Sequence, residues 1–360
     1  MSELLNIDKI KSIDKSNMFE VLQSFPEQVK HAIEIGEKFS GFPNKPRSSK
    51  FVILGMGGSA IGGDLLASYL CNLKAIPGLD ISTSRNYNLP KFVDDKTNII
   101  ASSYSGETEE TISALSQAVW LSKNIIGITT GGKIRQISNE NNIPLVSIPS
   151  GYQPRCAVGY SFFPMLKALL KTGLIGQEKL NDIGYEIEMT QNTIDVKAKQ
   201  YSELRDTNPA IQIAKKIFGS IPVIYSASDG MESVNTRWVR QIQENAKQLV
   251  FNGFLPEMNH NEINSFSYPD VLPKKVSLIF IKDEADNPRT HIRFNALKEI
   301  IGKQVLQIIE VKSSEQNVLS RMFDLLYLGD WVSFYLAILN NIDPTPIPLI
   351  NKLKAYLAKF

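Results

Sequence analysis

FVILGMGGSAIGGDLLASYL, residues 51–70, reads as a short β-branched strand, a glycine-rich turn and the start of a helix. Glycines at such a junction let backbone N–H groups approach an anion at the positive end of the helix, and Ser59 adds a hydroxyl donor. Alone, the stretch leaves open a plain turn and a dinucleotide fold, because Gly55, Gly57 and Ala60 also satisfy the GxGxxG/A spacing. The next loop outward separates these readings. SSYSGET (102–108) ends a second strand pattern, TNIIASS (97–103), and leads into the helical ETEETISALSQAVW from Glu107. Ser103, Ser105 and Thr108 set three hydroxyls around Gly106, with the N–H groups of a first helical turn behind them. That composition makes a phosphate cup; the alternative is that Ser103 and Ser105 only cap the helix. A dinucleotide enzyme also needs an acidic residue closing the second strand, whereas ISTSRN (81–86) has none and Asp80 stands earlier.

Further strand patterns at NIIGITT (124–130) and IPLVSIP (143–149) complete a doubly wound α/β domain over 46–175. Residues 1–45 read as a helical arm, packed over one domain or across a partner. The polar helical text EIEMTQNTIDVKAKQYSEL makes 176–205 a connector and places the domain boundary there. IPVIYSAS (221–228), KVSLIFIKD (275–283) and QVLQIIEV (304–311) then repeat the rhythm, giving a second α/β domain over 206–340 and a helical end over 341–360. The repeat is one of architecture: DGMESVN stands where the first domain has GMGGSAIGG, so the second has no phosphate loop.

Length agrees, since 360 residues exceed one average-sized core. Lys plus Arg number 39 against 37 for Asp plus Glu, a net charge of +2 with no basic block or acidic tail, so a nucleic-acid surface is not indicated. Cys71 and Cys156 lie far apart and outside any CxxC pair, supporting neither a disulfide framework nor a thiolate metal site. The opening MSELLNIDKI lacks the apolar core of a secretory signal, and the apolar run from Trp331 stops at Leu339, short of the ~18 residues of a membrane span. The expectation is a cytoplasmic protein without a membrane partner.

With SxSGxT in place, the chain resembles the sugar isomerase (SIS) fold. More narrowly, GMGGSAIGGD, SYSGETEET, YQPR, QIQENAK and PEMNHNEI, in this order over most of 50–355, resemble the bifunctional phosphoglucose/phosphomannose isomerase family. The resemblance implies two SIS-type domains and a homodimer with active sites at domain and subunit contacts. It also implies interconversion of glucose 6-phosphate, mannose 6-phosphate and fructose 6-phosphate, a step of glycolysis and gluconeogenesis, without cofactor or metal. Carried over by motif, Gly57, Gly58, Ser59, Ser103, Ser105 and Thr108 hold the phosphate. Arg155 faces the enediolate, Glu244 is the base and His260 opens the ring. Thr345 lines the sugar near its second carbon, and KLK offers both Lys352 and Lys354 as the C-terminal lysine, with Lys354 preferred.

The chemistry suits these residue types. One carboxylate can take a proton from the carbon beside a carbonyl and return it to the neighbour, and a partly desolvated Glu is a better base. A fixed cation lowers the barrier to the enediolate, because that charge appears only along the reaction. A histidine near neutral pH can shuttle the proton that opens the pyranose. Glu257 and Glu262 flank His260 and could orient its ring, or simply face solvent. Three scattered His and two isolated Cys give no zinc ligand set. Rival readings are another sugar-phosphate isomerase of this fold, a non-catalytic sugar-phosphate sensor, and a nicotinamide oxidoreductase built on GMGGSA. Substrate assays on hexose and glucosamine 6-phosphates, turnover of Glu244→Gln and cofactor addition discriminate them.

Overall fold

The computed structural model describes residues 5–73, 78–228 and 230–359. The side chain of Cys71 lies outside the described set, while Cys156 is a buried free thiol. Helices α1 (Ile7–Ile13), α2 (Met18–Gln23) and α3 (Phe25–Lys38) precede β1 (Lys50–Leu54), α4 (Gly57–Asn72) and β2 (Asp80–Ser84). There follow β3 (Asn98–Ser102), α5 (Glu109–Leu121), β4 (Ile125–Thr129), α6 (Gly132–Glu140), β5 (Leu145–Ser147), α7 (Val158–Leu170) and α8 (Gln177–Ser202). The remainder is α9 (Pro209–Ile217), β6 (Ile221–Ala227), α10 (Glu232–Gln241), β7 (Phe251–Leu255), β8 (Val276–Lys282), α11 (Pro288–Ile301), β9 (Gln307–Lys312), α12 (Val318–Leu339) and α13 (Pro348–Leu357).

The chain divides into two compact units. The first takes Ser24–Asp195 with Glu315–Arg321, and the second the residues up to Gln23, Val196–Ser314 and those from Met322 on. The amino-terminal residues read as one arm thus divide at Gln23. In the second unit the Tyr327 hydroxyl donates to the Leu22 carbonyl at 2.6 Å, and Phe19 meets Trp331 edge-on at 5.3 Å. In the first, α3 packs on α7, where Gln28 donates to the Cys156 carbonyl at 2.8 Å and accepts from Gly159 N at 3.0 Å.

Among the described residues the first unit holds a parallel sheet ordered β2-β1-β3-β4-β5, and the second a parallel sheet ordered β7-β6-β8-β9. Continuous apolar strands fit this arrangement, since helices cover both faces: Phe51–Leu54 and Ile99–Ala101 are fully buried. The sequence reading omits β7, for physical reasons. It is an edge strand with an exposed Phe251 and a central Gly253, so both β propensity and the buried pattern are weak there.

Two further differences have structural causes. The helix after β1 starts at Gly57, inside the stretch read as a glycine-rich turn, so Gly58, Ser59, Gly62 and Gly63 lie within it. Close neighbours explain the glycines: a Cβ on Gly62 would stand 2.5 Å from Ser161 Oγ, and one on Gly63 2.8 Å from Ile53. The second difference is α12, which extends the apolar run from Trp331 back to Val318 and is long and apolar enough to cross a membrane. Its side chains are nearly all buried inside the protein, Trp331, Phe334, Tyr335 and Leu336 completely so. Its two acids are paired there, Asp330 with Arg237 and Asp324 with Lys197.

Candidate active site

In the first unit the chain leaves β1 to form β2 on one side and returns to form β3 on the other. The loops following β1 and β3 therefore diverge, and open α/β sheets bind ligands at the carboxyl ends of such a pair. Both anion-loop candidates sit there. Gly57 and Gly58 begin α4, and Ser59 Oγ accepts from Tyr104 N at 3.1 Å, which joins the first loop to the second.

Within 102–108 the hydroxyls of Ser103 and Thr108 lie 2.8 Å apart. Ser103 Oγ accepts from Gly106 N at 3.1 Å and Ser105 Oγ from Glu107 N at 3.2 Å. These bonds shape the loop before α5 starts at Glu109, and Thr108, at the cap position, makes no side-chain cap bond. The helix-cap alternative for the serines therefore accounts poorly for them, since the first turn of α5 is not what they bind. Gly106 has φ 73°, and a Cβ there would stand 1.9 Å from the Gly131 carbonyl oxygen. The loop is thus clamped on Gly131–Gly132 at the start of α6, where Glu107 Oε1 accepts from Lys133 N at 3.0 Å.

Arg155 belongs to the same cluster. It lies in a 3-10 turn, Pro154–Cys156, and is 4% exposed. A Cβ on Gly58 would fall 2.5 Å from the Pro154 carbonyl oxygen, so the glycine is what lets this turn rest on the start of α4. Tyr104 fastens the turn from the other side: its hydroxyl donates to the Pro149 carbonyl at 3.0 Å and accepts from Tyr152 N at 2.9 Å. Burial pushes the Tyr104 hydroxyl up from its ordinary value, so it remains a donor. Sequence reasoning did not single out Tyr104 or the Gly131–Gly132 clamp. The paired glycines after NIIGITT were a usable signal; a tyrosine between two serines was not.

The second unit carries the other candidates, in two places. Glu244 is half-buried in a π turn, Ile242–Ala246, that follows α10. Lys247, at φ 50°, closes the turn and donates Nζ to the Asp343 and Pro344 carbonyls at 2.8 and 2.9 Å. This brings the half-buried Thr345, whose N donates to Asp343 Oδ1 at 3.0 Å, beside the Glu244 turn. Lys352 and Lys354 are both exposed on α13. Two residues apart, they point about 200° from one another around the helix, so one site can face only one of them.

His260 lies elsewhere. Gln248 Nε2 donates to the Ser220 carbonyl at 2.9 Å, which puts the Glu244 turn at the amino end of the sheet. The exposed His260 follows β7, in a 3-10 turn Glu257–His260 beyond the carboxyl end. β7 is five residues long, about 16 Å of strand. The β6-to-β7 and β7-to-β8 connections run in opposite directions across the sheet, so right-handed crossovers put them on opposite faces. Met258 and Phe266 share a core cluster with Phe294, Leu297 and Ile301 of α11 on the His260 side. Of the flanking carboxylates, Glu257 is exposed and Glu262 folds inward over Gly253, where a Cβ would stand 2.5 Å from its Oε2. Burial raises the Glu262 carboxyl above its ordinary value, with the Tyr225 hydroxyl pulling the other way. Among the described residues, no three of His, Cys, Asp and Glu converge as a metal site would require.

The paired parallel sheets and the serine-lined switch point define an SIS-type sugar-isomerase fold. Among solved structures, the C-terminal domain of glucosamine-fructose-6-phosphate aminotransferase from Francisella tularensis has this fold, with a TM-score of 0.69 at 13% identity, covering 91% of this chain and 98% of that one. Residues 206–357 match the family model of the bacterial phospho-glucose isomerase C-terminal SIS domain. The chain is 40% identical over 344 residues to a bifunctional phosphoglucose/phosphomannose isomerase of Caldicellulosiruptor bescii, covering 95% of this chain and 99% of that one. It is 33% identical over 311 residues to the enzyme of the same name from Thermoplasma volcanium, covering 86% and 91%. The chain belongs to the bifunctional phosphoglucose/phosphomannose isomerase family.

Proposed function

We propose that this protein interconverts glucose 6-phosphate and mannose 6-phosphate with fructose 6-phosphate by proton transfer through a cis-enediolate. The observation that carries the reading is the serine–threonine loop 103–108 at the switch point of the first sheet, stitched to Ser59 and rigidified by Gly106. Gly57, Gly58, Ser59, Ser103, Ser105 and Thr108 hold the substrate phosphate through hydroxyl and amide donors. Such a handle fixes the sugar so that its first two carbons meet one carboxylate. Glu244 removes the proton from the second carbon of the aldose and returns it to the first. Glucose and mannose differ only at that second carbon, so one enediolate serves both.

Arg155 is buried and permanently charged, and it stabilises the oxyanion that forms beside it. Thr345 lines the sugar, and Lys354, with Lys352 as the alternative, supplies a second cation. His260 moves the proton that opens the ring. Because His260 and Glu244 occupy opposite ends and faces of one sheet, a site using both takes His260 from a second copy, and the active form is a homodimer. Two cysteines far apart in the chain suit a reducing, cytoplasmic setting.

The test is a coupled assay of fructose 6-phosphate formed from mannose and glucose 6-phosphates with a chelator present, beside glucosamine 6-phosphate and the Glu244→Gln variant. Turnover of both hexoses is expected, falling about 10²–10⁴-fold in the variant with sugar-phosphate binding kept. Full turnover by Glu244→Gln, or activity on the aminosugar alone, overturns the reading.

A further inference from the structure

The π turn carrying Glu244 changes which residue of this helix faces the interior. An α-helix advances about 100° per residue, so positions 237, 241 and 244 of an unbroken helix fall within about 60° of one another. Arg237 and Gln241 spend that face on a buried acid. Arg237 Nε and Nη2 donate to Asp330 Oδ1 and Oδ2 at 3.0 and 2.7 Å, and Gln241 Nε2 donates to Oδ1 at 2.8 Å. Arg237 is 2% and Asp330 3% exposed. Were α10 to continue unchanged, the Glu244 carboxylate would turn toward the Asp330 carboxylate, and two acids sharing one dry pocket cannot both stay ionised.

An i→i+5 turn winds only roughly 80° per residue, which lines position 245 up with Arg237 and swings position 244 roughly 80° off that face. Burial follows this geometry: Asn245 is fully buried and Glu244 half-buried. A neutral amide therefore takes the inward place next to the ion pair. Its Nδ2 donates to Ser333 Oγ at 2.9 Å, and Ser333 Oγ donates to the Asp330 carbonyl at 2.7 Å. Beyond Asn245, Asn340 Nδ2 donates to the Ala246 carbonyl at 3.3 Å.

We propose that the Asn245–Ser333 hydrogen bond, anchored through Ser333 on the Asp330 main-chain carbonyl of α12, is the positioning device that holds the π turn and so aims Glu244. The proposal rests on the reading of Glu244 as the proton-transfer base. Loss of the bond lets the turn relax toward α geometry, rotating the carboxylate away from the substrate while the loops that bind phosphate are unaltered.

The experiment is a double-mutant cycle on the full chain: Asn245→Ala, Ser333→Ala and the pair, with kcat, KM and melting temperature measured on mannose 6-phosphate. Each single change is expected to lower kcat about ten-fold or more with KM held within about two-fold. The pair should fall no further than either, because one bond is being removed. Ser333→Ala removes a single oxygen, so it reads the effect should Asn245→Ala be unstable. Wild-type kcat in the folded single variants, losses that add in the pair, or KM rising in step with the loss of kcat overturns the proposal. Glu244→Gln, run alongside, separates this failure from that of the base assignment: full turnover there would sink the assignment, not the clamp alone.

Discussion

Replacing Gly106 by alanine tests whether the shape of the 103–108 loop is what holds the substrate. Two effects act at this position. The residue is at φ 73°, where an L side chain costs about 1–2 kcal/mol. In addition, its Cβ would lie 1.9 Å from the Gly131 carbonyl oxygen, so clearing even 3.0 Å demands about 1.1 Å of backbone movement. Gly173 provides the matched control, with φ 74° and nothing within 4 Å of its Cβ, so Gly173→Ala carries the conformational term without the clash. At about 2–4 °C of melting temperature per kcal/mol for a domain of this size class, the control should melt several degrees low and turn over normally. Gly106→Ala should melt lower still. A misplacement of about 1 Å among positioning groups lowers rates up to about 10²-fold, and that is the expected loss in kcat/KM for mannose 6-phosphate in the coupled assay. Inorganic phosphate should raise the melting temperature of wild type and Gly173→Ala but not of Gly106→Ala. A kcat/KM for Gly106→Ala close to that of the control, with the phosphate effect intact, would refute the reasoning.

Three further outcomes follow from other parts of the molecule. Gly58→Ala gains about 1 kcal/mol of helix propensity, yet its Cβ meets the Pro154 carbonyl at 2.5 Å. The variant should keep its helix and lose kcat as the Arg155 turn is displaced, which circular dichroism and the coupled assay read together. Because burial raises the Glu262 carboxyl above its ordinary value, the folded chain holds that proton more tightly than the unfolded one. The stability tied to it is whole below that ordinary value and declines as pH climbs through the raised one, so wild type should lose melting temperature with rising pH more steeply than Glu262→Gln. Thermal melts across the acid-to-neutral range check the sign. Finally, mixing inactive Glu244→Gln and His260→Ala chains should restore about a quarter of wild-type activity, since half the random dimers hold one site with both residues intact. No recovery after verified subunit exchange would contradict the two-copy site.

Local chemistry in the sequence determined a good deal. Strand-loop-helix alternation, the hydroxyls around Gly106 and the glycines before Ser59 act over a few residues, so the parallel α/β class and the phosphate-loop candidates were legible without coordinates. Tertiary contacts decided the rest. The glycines of α4 read as loop, and only the close packing of Pro154 and Ser161 explains why they are helical. β7 hides its strand character because an edge with a central glycine carries little pattern. The π turn is one residue's difference in hydrogen bonding, invisible to a periodicity, and it sets which of Glu244 and Asn245 faces Asp330. Glu244 and His260 are near in sequence, but a parallel strand runs the chain from one end of the sheet to the other, and crossover handedness then puts them on opposite faces. Sequence specifies which groups are present and their local conformation; only the assembled sheet, by fixing direction and handedness, determines which of those groups can meet.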